Sequence, residues 1–142
     1  GFCFKNFRKM NKEDLQKKLI EFQILNQQVN QMQQQFMALQ AQAEDIKNLK
    51  TSLDEIEKTK IGNKILAPLS SGILIETSLN NNKEVIISLG ANVTVKKTIP
   101  EAKKFIQDQE NQLNLVLSQL EHDLQQYAAA CMQLEQEISQ EQ

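Results

Sequence analysis

Between residues 11 and 61 the chain has neither a glycine nor a proline. A stretch this long without a backbone breaker reads as one continuous helix. Its apolar residues run Leu15, Leu19, Phe22, Leu25, Val29, Met32, Phe36, Leu39, Ala43 and Ile46. Leu49, Leu53 and Ile56 follow after one extra step of three. Steps of three and four approach a 3.5-residue repeat, the spacing of a coiled coil with local changes of winding. At 1.5 Å per residue the helix would run roughly 75 Å, too long and too narrowly striped for a globular core. Asn11 is a good N-cap, Glu13 and Asp14 place acid in the first turn, and Gly62-Asn63 ends the helix. The remaining positions are mostly Gln, Lys, Asn and Glu, which is a solvated face. Pairs such as Glu13 with Lys17 are exposed i,i+4 pairs and not catalytic carboxylates.

A second helix starts at Thr98-Ile99-Pro100-Glu101. Thr98 can cap, Pro100 is tolerated in the first turn, and Glu101 stands at the capping-box position. Its stripe is Ala102, Ile106, Gln109, Leu113, Val116, Leu120, Leu124, Tyr127, Cys131, Leu134 and Ile138, and residues 99–140 would span roughly 63 Å. The two stripes are each other's nearest partners. Both helices leave one short middle segment, so they run antiparallel, and facing residues carry numbers that sum to about 160. Glutamine marks the same division. Ten of the 20 precede residue 43, ten follow residue 106, and none lies between.

The middle reads as four short β-strands, residues 65–98. Lys64-Ile65-Leu66-Ala67-Pro68-Leu69 is turned by Ser70-Ser71-Gly72 into Ile73-Leu74-Ile75-Glu76-Thr77-Ser78-Leu79. Asn80-Asn81-Asn82 turns that strand into Glu84-Val85-Ile86-Ile87-Ser88-Leu89, and Gly90-Ala91-Asn92 turns again into Val93-Thr94-Val95-Lys96. β-Branched runs bounded by Gly, Asn and Ser are the hairpin signature. Alternation places Ile73, Ile75, Thr77 and Leu79 on one face, continued by Val85, Ile87, Leu89, Val93 and Val95. Leu74 and Ile86 break the opposite, polar face. Pro68 cannot donate to a ladder, so its strand is an edge or bulged strand. So short a strand head cannot close a core alone, and its free edges recruit other strands. The predicted fold is α+β: a long antiparallel coiled-coil hairpin with a central head of two β-hairpins that assembles with heads of other chains. The boundaries are an N-terminal extension at 1–10, a helix at 11–62, the head at 63–98 and a helix at 99–142. Met10 reads as a natural start, with residues 1–9 ahead of it too short and too basic for a secretory signal.

The composition excludes several function classes. A net charge of −2 argues against a nucleic-acid binder, which carries a basic face, and against a polybasic membrane anchor. No apolar run is long enough to span a bilayer. The single histidine, His122, falls off the stripe and has no partners at ligand spacing. Cys3 and Cys131 form neither a disulfide framework nor a zinc site, and they read as free thiols of a reducing, cytoplasmic compartment. Gly72 and Gly90 are isolated turn glycines, not a phosphate loop. The expectation is no enzyme, no metal and no cofactor.

The long helix, four strands and long helix, with Lys64-Ile65-Leu66-Ala67-Pro68-Leu69, the Ser70-Ser71-Gly72 turn, Leu89-Gly90-Ala91-Asn92-Val93 and Thr98-Ile99-Pro100-Glu101-Ala102, resemble the prefoldin α subunits of archaea over residues 11–140. The resemblance implies a hexamer of two α and four β subunits, its strand heads joined into a double β-barrel with six coiled coils hanging from it. Such a complex is an ATP-independent holdase that captures unfolded polypeptides and delivers them to a group II chaperonin. Residues assigned to subunit assembly are Ile73, Ile75, Leu79, Val85, Ile87, Leu89, Val93 and Val95. The helices have unequal length, so apolar residues run out past the end of their pairing. Phe2, Phe4, Phe7, Met10 and Leu15, with Met132, Leu134 and Ile138, are therefore the candidate client contacts. The competing reading is a structural coiled-coil adaptor or filament former without client capture.

Overall fold

A computed structural model describes residues 12–140. Helix α1 (Lys12–Lys58) is followed by strands β1 (Lys64–Ser70), β2 (Ile73–Ser78), β3 (Glu84–Gly90) and β4 (Val93–Thr98), then by helix α2 (Ile99–Gln140). They divide into two compact units. One combines the described residues up to Ala41 with those from Asn114 onward; the other runs from Gln42 to Leu113 and holds all four strands.

Helix α1 stops at Lys58, ahead of the expected Gly62. The Thr59 hydroxyl donates to the Glu55 carbonyl at 2.6 Å, and the Thr59 carbonyl accepts from Asn82 Nδ2 at 3.0 Å. These bonds occupy the groups that another turn would use, and Gly62 then reverses the chain at φ 92°.

The seam of α1 differs from the apolar reading at two places. Leu19 and Leu49 are exposed, and Lys18 and Lys50 stand on the covered side instead. With these two admitted, the less exposed positions run 15, 18, 22, 25, 29, 32, 36, 39, 43, 46, 50 and 53, which is an unbroken alternation of three and four. The irregular winding expected from the apolar residues is therefore absent there. A lysine can occupy such a position because its methylene stem lies along apolar surface while its ammonium reaches out. Lys18 reaches Glu137 at 2.9 Å and Lys50 reaches Glu110 at 3.1 Å, both on α2. On α2 the seam likewise passes through Glu110, Leu117 and Ala128, leaving Gln109, Val116 and Tyr127 exposed.

Within each unit the helices pair antiparallel. Contacting numbers sum to 157 and 160 at Lys50 with Gln107 and Glu110, and to 155 at Lys18 with Glu137, close to the expected sum. Leu15, expected beyond the end of the pairing, is half-buried.

The strands form two separate antiparallel pairs, β1 with β2 and β3 with β4. Ser71 and Gly72 join the first pair, and Ala91 and Asn92 join the second, all four at positive φ. That is the geometry of a two-residue type I′ connection, whose twist matches the flanking strands. Each pair is irregular just before its turn, between Pro68 and Ser70 and between Ser88 and Gly90, so Pro68 does stand beside a bulge. Asn80-Asn81-Asn82 links the two hairpins instead of making a third turn. Asn81 Oδ1 accepts from the N–H groups of Lys83 and Glu84 at 2.9 and 3.0 Å, an Asx-type cap on the start of β3. The hairpin feet are tied by Gly62 N–H to Leu79 O at 2.7 Å, Leu79 N–H to Asn63 O at 2.9 Å and Ile99 N–H to Lys83 O at 2.9 Å. Thr98 Oγ1 accepts from Glu101 N–H at 3.2 Å and donates to its carboxylate at 2.9 Å, which caps α2 where the sequence places its start.

Candidate functional site

The strand pairs expose more apolar surface than a closed domain does. Each pair has two strands only, so among the described residues both outer edges of each lack a strand partner. Pairing of Ala67 with Ile75 and Ile65 with Thr77 gives the first hairpin one face; Leu66 and Leu74 lie on the other. Both faces are open: Ile73 and Ile75 are exposed on the first, Leu66 and Leu74 on the second. In the second hairpin Val85, Ile87 and Val95 are half-buried, whereas Leu89, Val93 and Ile86 are exposed, Ile86 at 69%. Of the eight residues assigned to assembly, Ile73, Ile75, Leu89 and Val93 are presented to the surroundings. Leu79 is buried, its backbone bonded to Gly62 and Asn63. Leu66 and Ile86 were not among the eight, although their apolar character on the face opposite the stripe was the available signal; Leu69, exposed beside the bulge, was not among them either.

Beneath the second hairpin runs an apolar groove. Leu49, Leu53 and Ile56 of α1, Val85, Ile86 and Ile87 of β3, and Ala102, Phe105 and Ile106 of α2 line it, with Gln109. Phe105 and Leu49 are exposed at its mouth. Neither was assigned a role from sequence, because a stripe reading assigns Leu49 to the seam and leaves Phe105 as a single off-stripe residue.

The other unit carries the candidate client contacts. Phe2, Phe4, Phe7 and Met10 lie outside the described residues. Leu134 and Ile138 are each 8% exposed and pack in the helix seam, so they are not presented outward. Met132 is 63% exposed. Sequence reasoning missed Ile20 and Ile24, which are both exposed and stand one turn apart on α1, off its seam.

Electrostatics in the strand-bearing unit centre on one lysine. Lys103 Nζ lies 2.5 Å from Asp54 Oδ1 and 3.0 Å from Glu57 Oε1. The hydrogen bond from Lys103, then its charge, hold the Asp54 carboxyl below the usual carboxylate range. The same bond to Asp54, then that to Glu57, hold the Lys103 ammonium above its usual value. Among the described residues no group of His, Cys, Asp and Glu could hold a metal ion, and no helix is long and apolar enough to cross a membrane.

This arrangement of two long helices around two open strand pairs is a known one. A family model for prefoldin subunits matches residues 25–142. The chain belongs to the prefoldin family. Archaeal prefoldin α subunits match it across most of their length. That of Thermofilum pendens is 23% identical over 118 residues, covering 83% of this chain and 92% of that protein. That of Methanobrevibacter smithii is 31% identical over 108 residues, covering 76% and 73%. Among solved structures, the filamentous PFD of Methanocaldococcus jannaschii, determined by cryo-EM, matches with a TM-score of 0.69 at 20% identity, covering 79% of this chain and 93% of that one. At that identity the likeness speaks for the prefoldin fold alone. Prefoldins are a chaperone family.

Proposed function

We propose that this chain is the α-type subunit of an ATP-independent holdase. In this reading it joins β-type prefoldin subunits through its hairpins, as two α with four β, and the joined strands close into barrels. The complex binds unfolded polypeptides in the cytoplasm and passes them to a group II chaperonin. The observation that carries the reading is the open apolar surface of two strand pairs with free edges in a chain of the prefoldin family. Burying several hundred Å² of such surface at about 25 cal/mol per Å² drives association, and edge strands direct it into sheet pairing.

Client contact is assigned to the helix ends. Met132, Ile20 and Ile24 present apolar side chains to the surroundings, and Leu15 is half-buried. Phe2, Phe4, Phe7 and Met10 extend the same chemistry along the sequence. Leu134 and Ile138, packed in the seam, are left out of this surface. Flexible Met and aliphatic side chains can adapt to many unfolded sequences. Weak contacts on several arms of one complex add through effective concentration, so no single arm needs high affinity.

A second reading is a self-assembling filament, favoured by the filamentous relative of the same fold. One experiment separates them. The chain is produced alone and with a β-type prefoldin subunit, each product is weighed by native mass spectrometry, and each is added to a chemically denatured client. The holdase reading expects a discrete complex with the β partner that suppresses client aggregation without nucleotide. Filaments of the chain alone, with aggregation unchanged by either product, would overturn it.

A further inference from the structure

Two lysines, one on each helix, reach across the helix pair in opposite senses. Lys50 Nζ on α1 donates to Gln107 Oε1 at 2.8 Å and to Glu110 Oε1 at 3.1 Å on α2. Lys103 Nζ on α2 contacts Asp54 Oδ1 at 2.5 Å and Glu57 Oε1 at 3.0 Å on α1. Each ammonium bridges two acceptors three residues apart on the opposite helix. The sequence contains the reason. Lys50, Asp54 and Glu57 have the same spacing as Lys103, Gln107 and Glu110, four and then three. The second pattern repeats the first 53 positions later, and Leu53 and Ile106, separated by the same 53, are both buried. An antiparallel helix pair carrying one such pattern on each strand has a local pseudo-twofold axis, about which every lysine meets the acceptors of the other copy. Gln107 Nε2 also donates to Glu110 Oε1 at 3.2 Å and to Asn111 Oδ1 at 2.9 Å, which orients the acceptor pair on α2.

We propose that this repeated pattern is a register lock for the helix pair. The apolar stripe cannot choose its own register, because a slip of seven residues keeps apolar positions facing apolar positions. The lysines can. A seven-residue slip in one direction brings residues 100–103 opposite Lys50 and residues 47–50 opposite Lys103, so Lys50 meets Lys103 and Lys47 adds a third positive charge. A slip in the other direction moves Lys103 opposite residues 61–64, beyond the end of α1 at Lys58, and all four contacts are lost. Solvated ion pairs add little to stability, but register depends on the difference between arrangements, to which repulsion in the wrong one contributes in full. The lock also sets where α2 begins relative to the end of α1. The hairpin feet depend on that placement, since Asn82 bonds the Thr59 carbonyl and Ile99 bonds the Lys83 carbonyl. The proposal stands independently of chaperone activity.

The test measures register in the full chain. Nitroxide labels are attached to cysteines placed at the exposed positions Glu44 and Lys104, with Cys3→Ser and Cys131→Ala as background. Their separation is read by pulsed electron resonance, and a seven-residue slip changes the axial offset by about 10 Å. The parent should give one distance. Lys50→Gln with Lys103→Gln should add a second, with the slipped population rising about tenfold, within the range of coupled side-chain networks. Retention of the single parental distance would show that the connecting hairpins alone set the register, and would overturn the proposal. If that double variant loses helicity, Lys50→Met with Lys103→Met, which keeps the apolar stems and removes both charges, decides. A second distance there supports the lock, and the single parental distance overturns it.

Discussion

Ile99 is the side chain on which the strand-bearing unit depends most. It is fully buried, at 0% exposure, and its N–H donates to Lys83 O at the foot of the second hairpin. It is also the first residue of α2, so one position joins helix, hairpin and core. Ile99→Ala keeps the backbone bond and the helix start but removes buried carbons that the surroundings can refill only in part. Such a truncation costs about 2–5 kcal/mol, and complete burial argues for the upper half of that range. Against a typical total of about 5–15 kcal/mol this is a large fraction. Ile61→Ala is the control: Ile61 is 62% exposed, and exposed substitutions stay within about 0.5 kcal/mol. The assay is urea denaturation of the isolated chain followed by circular dichroism, with midpoint and slope fitted together so that a change in cooperativity is not mistaken for one in stability. A shift for Ile99→Ala no larger than that for Ile61→Ala would refute the assignment of Ile99 as the anchor.

Three further outcomes are expected. Ile75→Asp or Ile87→Asp should abolish assembly with partner subunits while the helices keep their circular dichroism signal, because a charge on a face that must be buried has no partner there; sedimentation velocity of the mixed subunits checks it. Thr98→Ala removes the hydroxyl that accepts from Glu101 N–H and should cost about 1 kcal/mol in the same urea assay, with Thr98→Ser restoring most of it. The Asp54–Lys103 pair should make stability pH-dependent at the extremes only. Asp54 has a lowered pKa, so its contribution is complete above the ordinary value of 3.8 and disappears as pH falls through its own; Lys103 has a raised one, so its contribution is complete below 10.5 and disappears as pH rises through its own. The stability difference between parent and Asp54→Asn should therefore be flat around neutrality and vanish in acid, and a difference that persists below Asp54's own pKa would contradict the assignment.

Much of this architecture is determined by local physics and is readable without coordinates. A backbone without Gly or Pro from residue 11 to 61 and a three-four apolar spacing suffice for a long helix, because both constraints act within a few turns. The capped start at Thr98 and the hairpin turns at Ser71-Gly72 and Ala91-Asn92 are likewise local, since they depend on φ and on hydrogen bonds between near neighbours. The seam was legible only in part. Lys18, Lys50 and Glu110 belong to it, yet each is charged, and a hydropathy pattern assigns the position to the nearest apolar residue instead. What qualifies them is the acceptor or donor on the opposite helix, more than 50 residues away in the chain, and that partner exists only once the helices have paired. The same reason separates Leu134 and Ile138 from Met132. All three were assigned to client contact, although only Leu134 and Ile138 lie on the stripe; how far the pairing reaches was open in the sequence, and the pairing with α1 buries those two and leaves Met132 in the open. Local backbone chemistry thus determines which segments are helices and strands, while only the tertiary structure decides which side chains meet, because burial is a property of two surfaces and not of one.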